Sequence, residues 1–227
     1  MADLPIPDLL ILDCDGVLID SEIISARMLV DELARLGVAI DLPYVARHFL
    51  GRSYPTVMAT IRREFGLDLP PEFEARYRDR LLEAFERDLR IMPGVAAMLE
   101  ALALPVCVAT SSSPRRVEMS LRLVGLWDRL GQVTFTASQV ARGKPAPDLF
   151  LFAAAQMGAD PARCLVIEDS LTGIRAALAA GMRVWRFTGG SHMGPETPDE
   201  PDDARPERRF AAFADFYTLA PEFRRAS

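Results

Sequence analysis

The run Leu9-Leu10-Ile11-Leu12-Asp13-Cys14-Asp15-Gly16 changes from wholly apolar to acidic at a single step. Four consecutive apolar residues without polar alternation predict a strand buried on both faces, as in a parallel sheet covered by helices. Side chains two apart on an extended chain share a direction, so Asp13 and Asp15 converge beyond the strand end, while Cys14 turns away into packing. Two carboxylates that close repel unless a cation or a shared proton relieves them. Gly16 lets the backbone turn away sharply. Ligands of open α/β sheets bind beyond the carboxyl ends of strands, where these aspartates fall. Taken alone, the stretch fits a polar turn as well as it fits a site.

After Ser21 the pattern turns helical. Ile24, Met28, Val30, Leu33 and Leu36 recur at helical spacing until Gly37. Pro55 opens a second helix that ends at Gly66, and a third runs from about Pro71 to Phe85. Between the first two, Tyr44 to Tyr54 reads as a connecting segment that carries His48 and Arg52. Residues 21–87 are therefore expected to form a helical subdomain, with 1–20 and 88–227 making an α/β core. In that core, strands at 105–110, 133–136, 164–168 and 183–187 alternate with helices, which predicts a Rossmann-like, doubly wound parallel sheet. From Gly189 to Arg209 the chain is rich in Pro, Asp, Glu and Arg with almost no apolar anchor, and reads as a long mobile surface loop. Phe210 to Phe223 returns to apolar residues, expected as a short strand and helix over a sheet edge.

The 227 residues are half hydrophobic, enough for a sizeable core, and the net charge is -6. That balance argues against a nucleic-acid groove. The three cysteines have no metal-type spacing and read as buried thiols in a reducing compartment. No signal peptide or membrane span is visible in the sequence, so a cytoplasmic protein without nucleic-acid or membrane partners is expected, with a monomer as the default state.

Polar residues with no packing purpose end four strands or the loops after them: Asp13 and Asp15, Thr110, Lys144, and Glu168 with Asp169. In a parallel sheet all of these face one rim. Carboxylates in such numbers suit a hard cation, and Mg2+ takes few carboxylates, several waters and a substrate phosphate. Lys144 offers a point charge to a phosphate, and Thr110 with the amides after it offers hydrogen bonds.

With these residues in this order, the sequence resembles the haloacid dehalogenase-like (HAD) superfamily, in its subgroup of small-capped phosphatases and phosphomutases. Asp13-Cys14-Asp15-Gly16, Thr110, Lys144-Pro145 through Asp148, and Glu168-Asp169-Ser170 with Gly173 match its four ordered signatures. The helical stretch sits where that family inserts its cap. The resemblance implies a phosphatase acting on small phosphorylated metabolites, sugar or sugar-acid phosphates, through an aspartyl-phosphate. It implies Asp13 as nucleophile and Asp15 as general acid and base. Mg2+ would sit among Asp13, the Asp15 carbonyl and Asp169, with Glu168 orienting a metal-bound water. Lys144, Thr110, Ser111 and the Gly16 backbone would cradle phosphate. Asp148 serves a helix cap as readily as chemistry. On the cap side, Ser21-Glu22 follows the hinge and His48, Arg52 and Tyr54 are placed to close over the leaving group, although a solvated cap surface is the plainer reading of each. Ser191 and His192, beyond the last predicted strand, are placed to reach the pocket rim, where His192 could bind substrate, although a surface histidine is the plainer reading.

A β-phosphoglucomutase is the nearest alternative, but that enzyme carries a histidine in the first cap helix where Ser25 stands here. Haloacid dehalogenases lack an equivalent of Asp15, and Schiff-base phosphonate hydrolases need a cap lysine that 22–87 does not contain. A receiver-like module also combines aspartates, Thr and Lys at strand ends, but has no helical insertion after its first strand. A non-catalytic phosphate-binding relative would be expected to lack one of Asp13, Asp15, Lys144 or Asp169.

Overall fold

The computed structural model describes residues 5–49, 52, 54–67, 69, 72–194 and 200–226. One sheet contains β1 (Leu9–Leu12), β2 (Val106–Thr110), β3 (Thr134–Thr136), β4 (Cys164–Glu168), β5 (Arg183–Phe187) and β6 (Arg208–Phe210). All neighbours are parallel, in the order β3-β2-β1-β4-β5-β6. β1 is central, with Leu10 opposite Val106 on one side and Leu9 opposite Cys164 on the other. Its unbroken apolar run follows from being covered twice. Leu10 and Leu12 face a layer shared with Val108, Ile167 and Trp185, whereas Leu9 and Ile11 face one shared with Cys107, Val166 and Val184.

Between β1 and β2 come α1 (Glu22–Ala34), α2 (Leu42–His48), α3 (Tyr54–Phe65), α4 (Phe73–Asp88) and α5 (Val95–Ala101). The later helices are α6 (Pro114–Leu123), α7 (Trp127–Leu130), α8 (Asp148–Gln156), α9 (Leu171–Ala179) and α10 (Phe216–Leu219). Leu149, Phe150 and Ala153 of α8 and Ile174 and Ala177 of α9 cover one face of the sheet. Val95, Leu99, Val117 and Leu121 cover the other, where the hydrophobic cluster continues into Leu29, Leu33, Ile61, Phe73 and Phe85 of the helical stretch. Strand order runs outward from β1 to β3 and then returns past β1 to β4. That reversal opens a crevice at the carboxyl ends of β1, β2 and β4.

Two expectations change. The start of the 44–54 segment is helix and not loop: α2 runs over Leu42–His48, Asp41 caps it by accepting from Tyr44 N at 2.8 Å, and a proline occupies its first turn. Asp41-Leu42-Pro43 was the legible helix-start signal there. The stretch after β5 is tied down by charge rather than by apolar residues. Glu200, its side chain buried, accepts from Arg186 Nη1 at 2.9 Å and also pairs with Arg209, while Arg175 and Arg183 pair with Asp203 and Glu207 at 2.7 Å. Beyond it, β6 extends the sheet edge and Phe210, Phe213, Phe216 and Phe223 pack around Trp185 and Phe187. All three cysteines are free and buried. Among the described residues no helix is long and apolar enough to cross a membrane.

Candidate active site

Asp13 leaves the carboxyl end of β1 at the strand-order reversal. Its Oδ1 accepts from Lys144 Nζ at 2.6 Å, and the same ammonium donates to Glu168 Oε1 at 2.8 Å and Ala109 O at 3.0 Å. All three donors of the ammonium are used. Lys144 is the only lysine in a chain otherwise served by arginine. A compact ammonium with divergent donors suits three converging acceptors, which a planar guanidinium does not.

Glu168 ends β4 with its remaining oxygen also bound: Oε2 accepts from Ser170 N at 2.8 Å and Ser170 Oγ at 3.0 Å. Ser170 Oγ in turn accepts from Gly173 N at 3.0 Å, capping α9. A Cβ on residue 173 would lie 1.7 Å from Glu168 Oε1, so this carboxylate needs glycine beneath it.

Asp13, Glu168 and Asp169 are all buried and offer carboxylate oxygens within 4.8 Å of one another. Burial pushes Asp13 and Asp169 well above the usual carboxylate range, and Glu168 adds to the push on both against the pull of Lys144. One ammonium does not neutralise three carboxylates. A hard divalent cation bound by oxygen does, so the donor set fits Mg2+.

Asp15 lives differently. Its Oδ1 accepts from Ser21 Oγ at 2.6 Å and Arg116 Nη2 at 2.7 Å, and its Oδ2 accepts from Ser112 Oγ at 2.6 Å. Burial pushes its pKa up, but Arg116 and the two hydroxyls outweigh burial and hold it below the usual range. Arg116 also donates to Ser25 Oγ at 3.2 Å and lies 5.0 Å over the Phe85 ring, so α6 grips α1 and α4 through this one side chain. Beside it, burial and the charges of Asp15 and Asp169 push Glu22 up to about 7.

These groups border a cavity of about 510 Å3. Asp13, Asp15, Thr110, Ser111, Lys144, Glu168, Asp169 and the exposed Arg52 all line it. Gly16, with φ of +79°, makes the turn behind Asp169. Thr110 Oγ1 is 3.5 Å from Asp15 Oδ2 and accepts from Ser112 N at 3.0 Å, while Ser112 Oγ makes the short contact to Asp15. His48 is not among the lining residues; it stacks on Tyr44 with centroids 4.3 Å apart. The side chain of Tyr54 lies outside the described residues. Asp148 opens α8 and is held by Arg142 at 2.9 and 3.2 Å. His192 is no surface histidine: its side chain is 3% exposed and its Nε2 lies 2.9 Å from Asp169 Oδ2.

Ser112 and Arg116 are the site residues that sequence reasoning missed. Ser112 stood two residues past Thr110, a spacing that returns a side chain toward the same side. Arg116 arrives by tertiary packing and leaves no local signal, whereas Glu22 after the hinge and His192 near the rim are drawn further into the site than their positions in the sequence imply.

Comparison with known proteins gives a consistent result. The family description of haloacid dehalogenase-like hydrolases matches residues 7–181. The chain is 29% identical to 6-phosphogluconate phosphatase of Escherichia coli over 81% of this chain and 83% of that protein. It is 32% identical to hexitol phosphatase B of the same organism, over 76% and 80% of the two chains. Among solved structures, a haloacid dehalogenase-like protein of Agrobacterium tumefaciens superposes with a TM-score of 0.82 at 36% identity, covering 95% of this chain and 98% of that one. A HAD-family hydrolase of Deinococcus radiodurans, with bound phosphate and sodium, gives 0.77 at 33% identity, covering 98% and 100%.

Proposed function

This chain belongs to the haloacid dehalogenase-like hydrolases, a phosphatase among them, and on that premise we propose that it hydrolyses sugar and sugar-acid phosphates through an aspartyl-phosphate on Asp13. The observation that carries this reading is the Lys144 ammonium locked between Asp13 and Glu168 at the floor of a strand-end cavity.

In the first step an Asp13 oxygen attacks phosphorus, the ester P–O bond breaks, and Asp15 gives its proton to the leaving alkoxide. In the second, water attacks the acyl-phosphate, Asp15 takes the water's proton, and the P–O bond to Asp13 breaks. Lys144 keeps the nucleophile oriented and screens the approaching phosphate. Arg116, Ser21 and Ser112 hold Asp15 anionic, the form the second step requires; its proton for the first step enters as those contacts loosen around the ester. Asp13 and Asp169, with Glu168 beside them, would hold Mg2+, which when bound would supply the charge that lets an anionic ester meet an anionic nucleophile.

Residues 21–87 act in this proposal as a cap over the leaving group. Arg52 and Arg115, on the cavity wall, suit a substrate with a second anionic group, as the similarity to a 6-phosphogluconate phosphatase also favours. The place of the mutase histidine is taken by Ser25, whose hydroxyl is engaged by Arg116 and by Ser21 O. That favours hydrolysis over transfer to a second sugar position. The test is phosphate release from a panel of sugar, sugar-acid and glycolate phosphates with Mg2+ and then with chelator. Metal-dependent release with a preference for anionic sugars is expected. Silence across the panel, or isomerisation of β-glucose 1-phosphate, would overturn it.

A further inference from the structure

Beyond β5 the chain folds back onto the site in a short, fully determined turn. Ser191 donates to Asp20 Oδ1 from both its amide, at 3.1 Å, and its hydroxyl, at 2.8 Å. Met193 N donates to Gly190 O at 2.9 Å and closes the turn. Two glycines make room for what this turn presents. A Cβ at Gly190 would stand 2.4 Å from His192 Cε1, and one at Gly16 would stand 2.2 Å from Asp169 Oδ2 and 3.0 Å from His192 Cε1. The imidazole and the carboxylate therefore rest side by side against the bare Cα of Gly16.

The imidazole is deeply buried, and neither ring nitrogen has a well-aligned hydrogen bond. Nε2 is nonetheless 2.9 Å from Asp169 Oδ2, within reach of one. A buried polar side chain without a firm partner is unfavourable unless it serves a neighbour that gains from it. Packing alone would be met better by leucine or methionine. Nor does the ring join the acidic group itself: among the described residues, the set whose ligand atoms converge is Asp13, Glu168 and Asp169, without His192. The ring touches Asp169 from outside that set.

We propose that His192 is a positioning residue that fixes the Asp169 carboxylate for the divalent cation, and that the 188–194 turn exists to deliver it. This rests on the reading of Asp13 and Asp169 as cation ligands. Groups that orient a ligating carboxylate from outside raise metal affinity because the ligand is ordered before the metal arrives. Fastening the turn to Asp20 places this control at the entrance to the helical insertion, so the loop and the floor of the site are set together.

The test is calorimetric titration of the full chain with Mg2+ alone. His192→Ala is expected to weaken Mg2+ binding by about 10- to 100-fold. His192→Gln, which keeps a side-chain N–H, is expected to bind Mg2+ several-fold more tightly than His192→Met, which fills a similar volume with none. The melting temperature of each metal-free variant is measured alongside. A lowered melting temperature with unchanged Mg2+ affinity would assign His192 to packing and overturn the proposal, as would equal affinities in the Gln and Met variants. Absence of Mg2+ binding by the wild type would instead overturn the cation reading itself, and this inference with it.

Discussion

Asp13 and Asp15 are two residues apart, yet they belong to different regions of the molecule with opposite electrostatics. The floor, at the ends of β1 and β4, crowds three carboxylates around one ammonium and pushes Asp13 and Asp169 toward protonation. The seam, between α1 and α6, surrounds Asp15 with a guanidinium and two hydroxyls and keeps it ionised. The same residue type thus receives its role from its neighbours. An excess of negative charge suits the floor to a cation. The seam's satisfied carboxylate is held as an anion.

The sharpest way to break the floor is Lys144→Met. It leaves Glu168 buried without its partner, and a stability loss of about 3–5 kcal/mol is expected, with turnover down by about 10³-fold. Denaturant melts and initial rates check both; a stable, active variant would remove Lys144 from the centre of the site. At the seam, Asp15→Asn should leave binding intact and lower kcat by about 10²–10⁴-fold. Arg116→Met is gentler. Loss of one charge-assisted hydrogen bond, about 1.5–3 kcal/mol, is expected to appear in kcat more than in KM, and an effect confined to KM would make Arg116 a substrate contact instead.

The smallest effect separates the regions most cleanly. Asp169 has a folded pKa above its unfolded value, so its ionisation opposes folding at neutral pH, and the penalty sets in as pH rises through that window. Asp15 has a folded pKa below its unfolded value, so its contribution is present above that value and is lost as pH falls through the folded one. In metal-free protein at pH 7, Asp169→Asn should therefore raise the melting temperature and Asp15→Asn lower it, each by about 2–4 °C per kcal/mol. Shifts of the same sign would erase the distinction.

The two regions also differ in how far they could be read from sequence. Floor residues stand at strand ends, where an apolar run stops abruptly, so Leu9 to Asp15 and Cys164 to Asp169 announced both the strand and the cluster beyond it. Even Gly173 was part of the pattern, although the need for it became visible only with Glu168 resting where its Cβ would be. The seam is made by packing. Arg116 lies on a helix whose sequence reads as an ordinary charged surface, and nothing local foretells that it reaches Asp15 and Ser25 across 101 and 91 residues. His192 was misplaced for the same reason, since its burial depends on Gly16 and Gly190 clearing space from two distant parts of the chain. The stretch after β5 misled because its anchors are ion pairs around Glu200, and charge reads as exposure until its partners are known.

Phosphate release by Asp13→Asn beside the wild type, at saturating Mg2+, tests the central claim most directly. Turnover at background is expected, with circular dichroism and melting showing an intact fold. Residual activity above a few per cent of wild type, in a folded Asp13→Asn protein, would take the nucleophile's role away from Asp13 and contradict it.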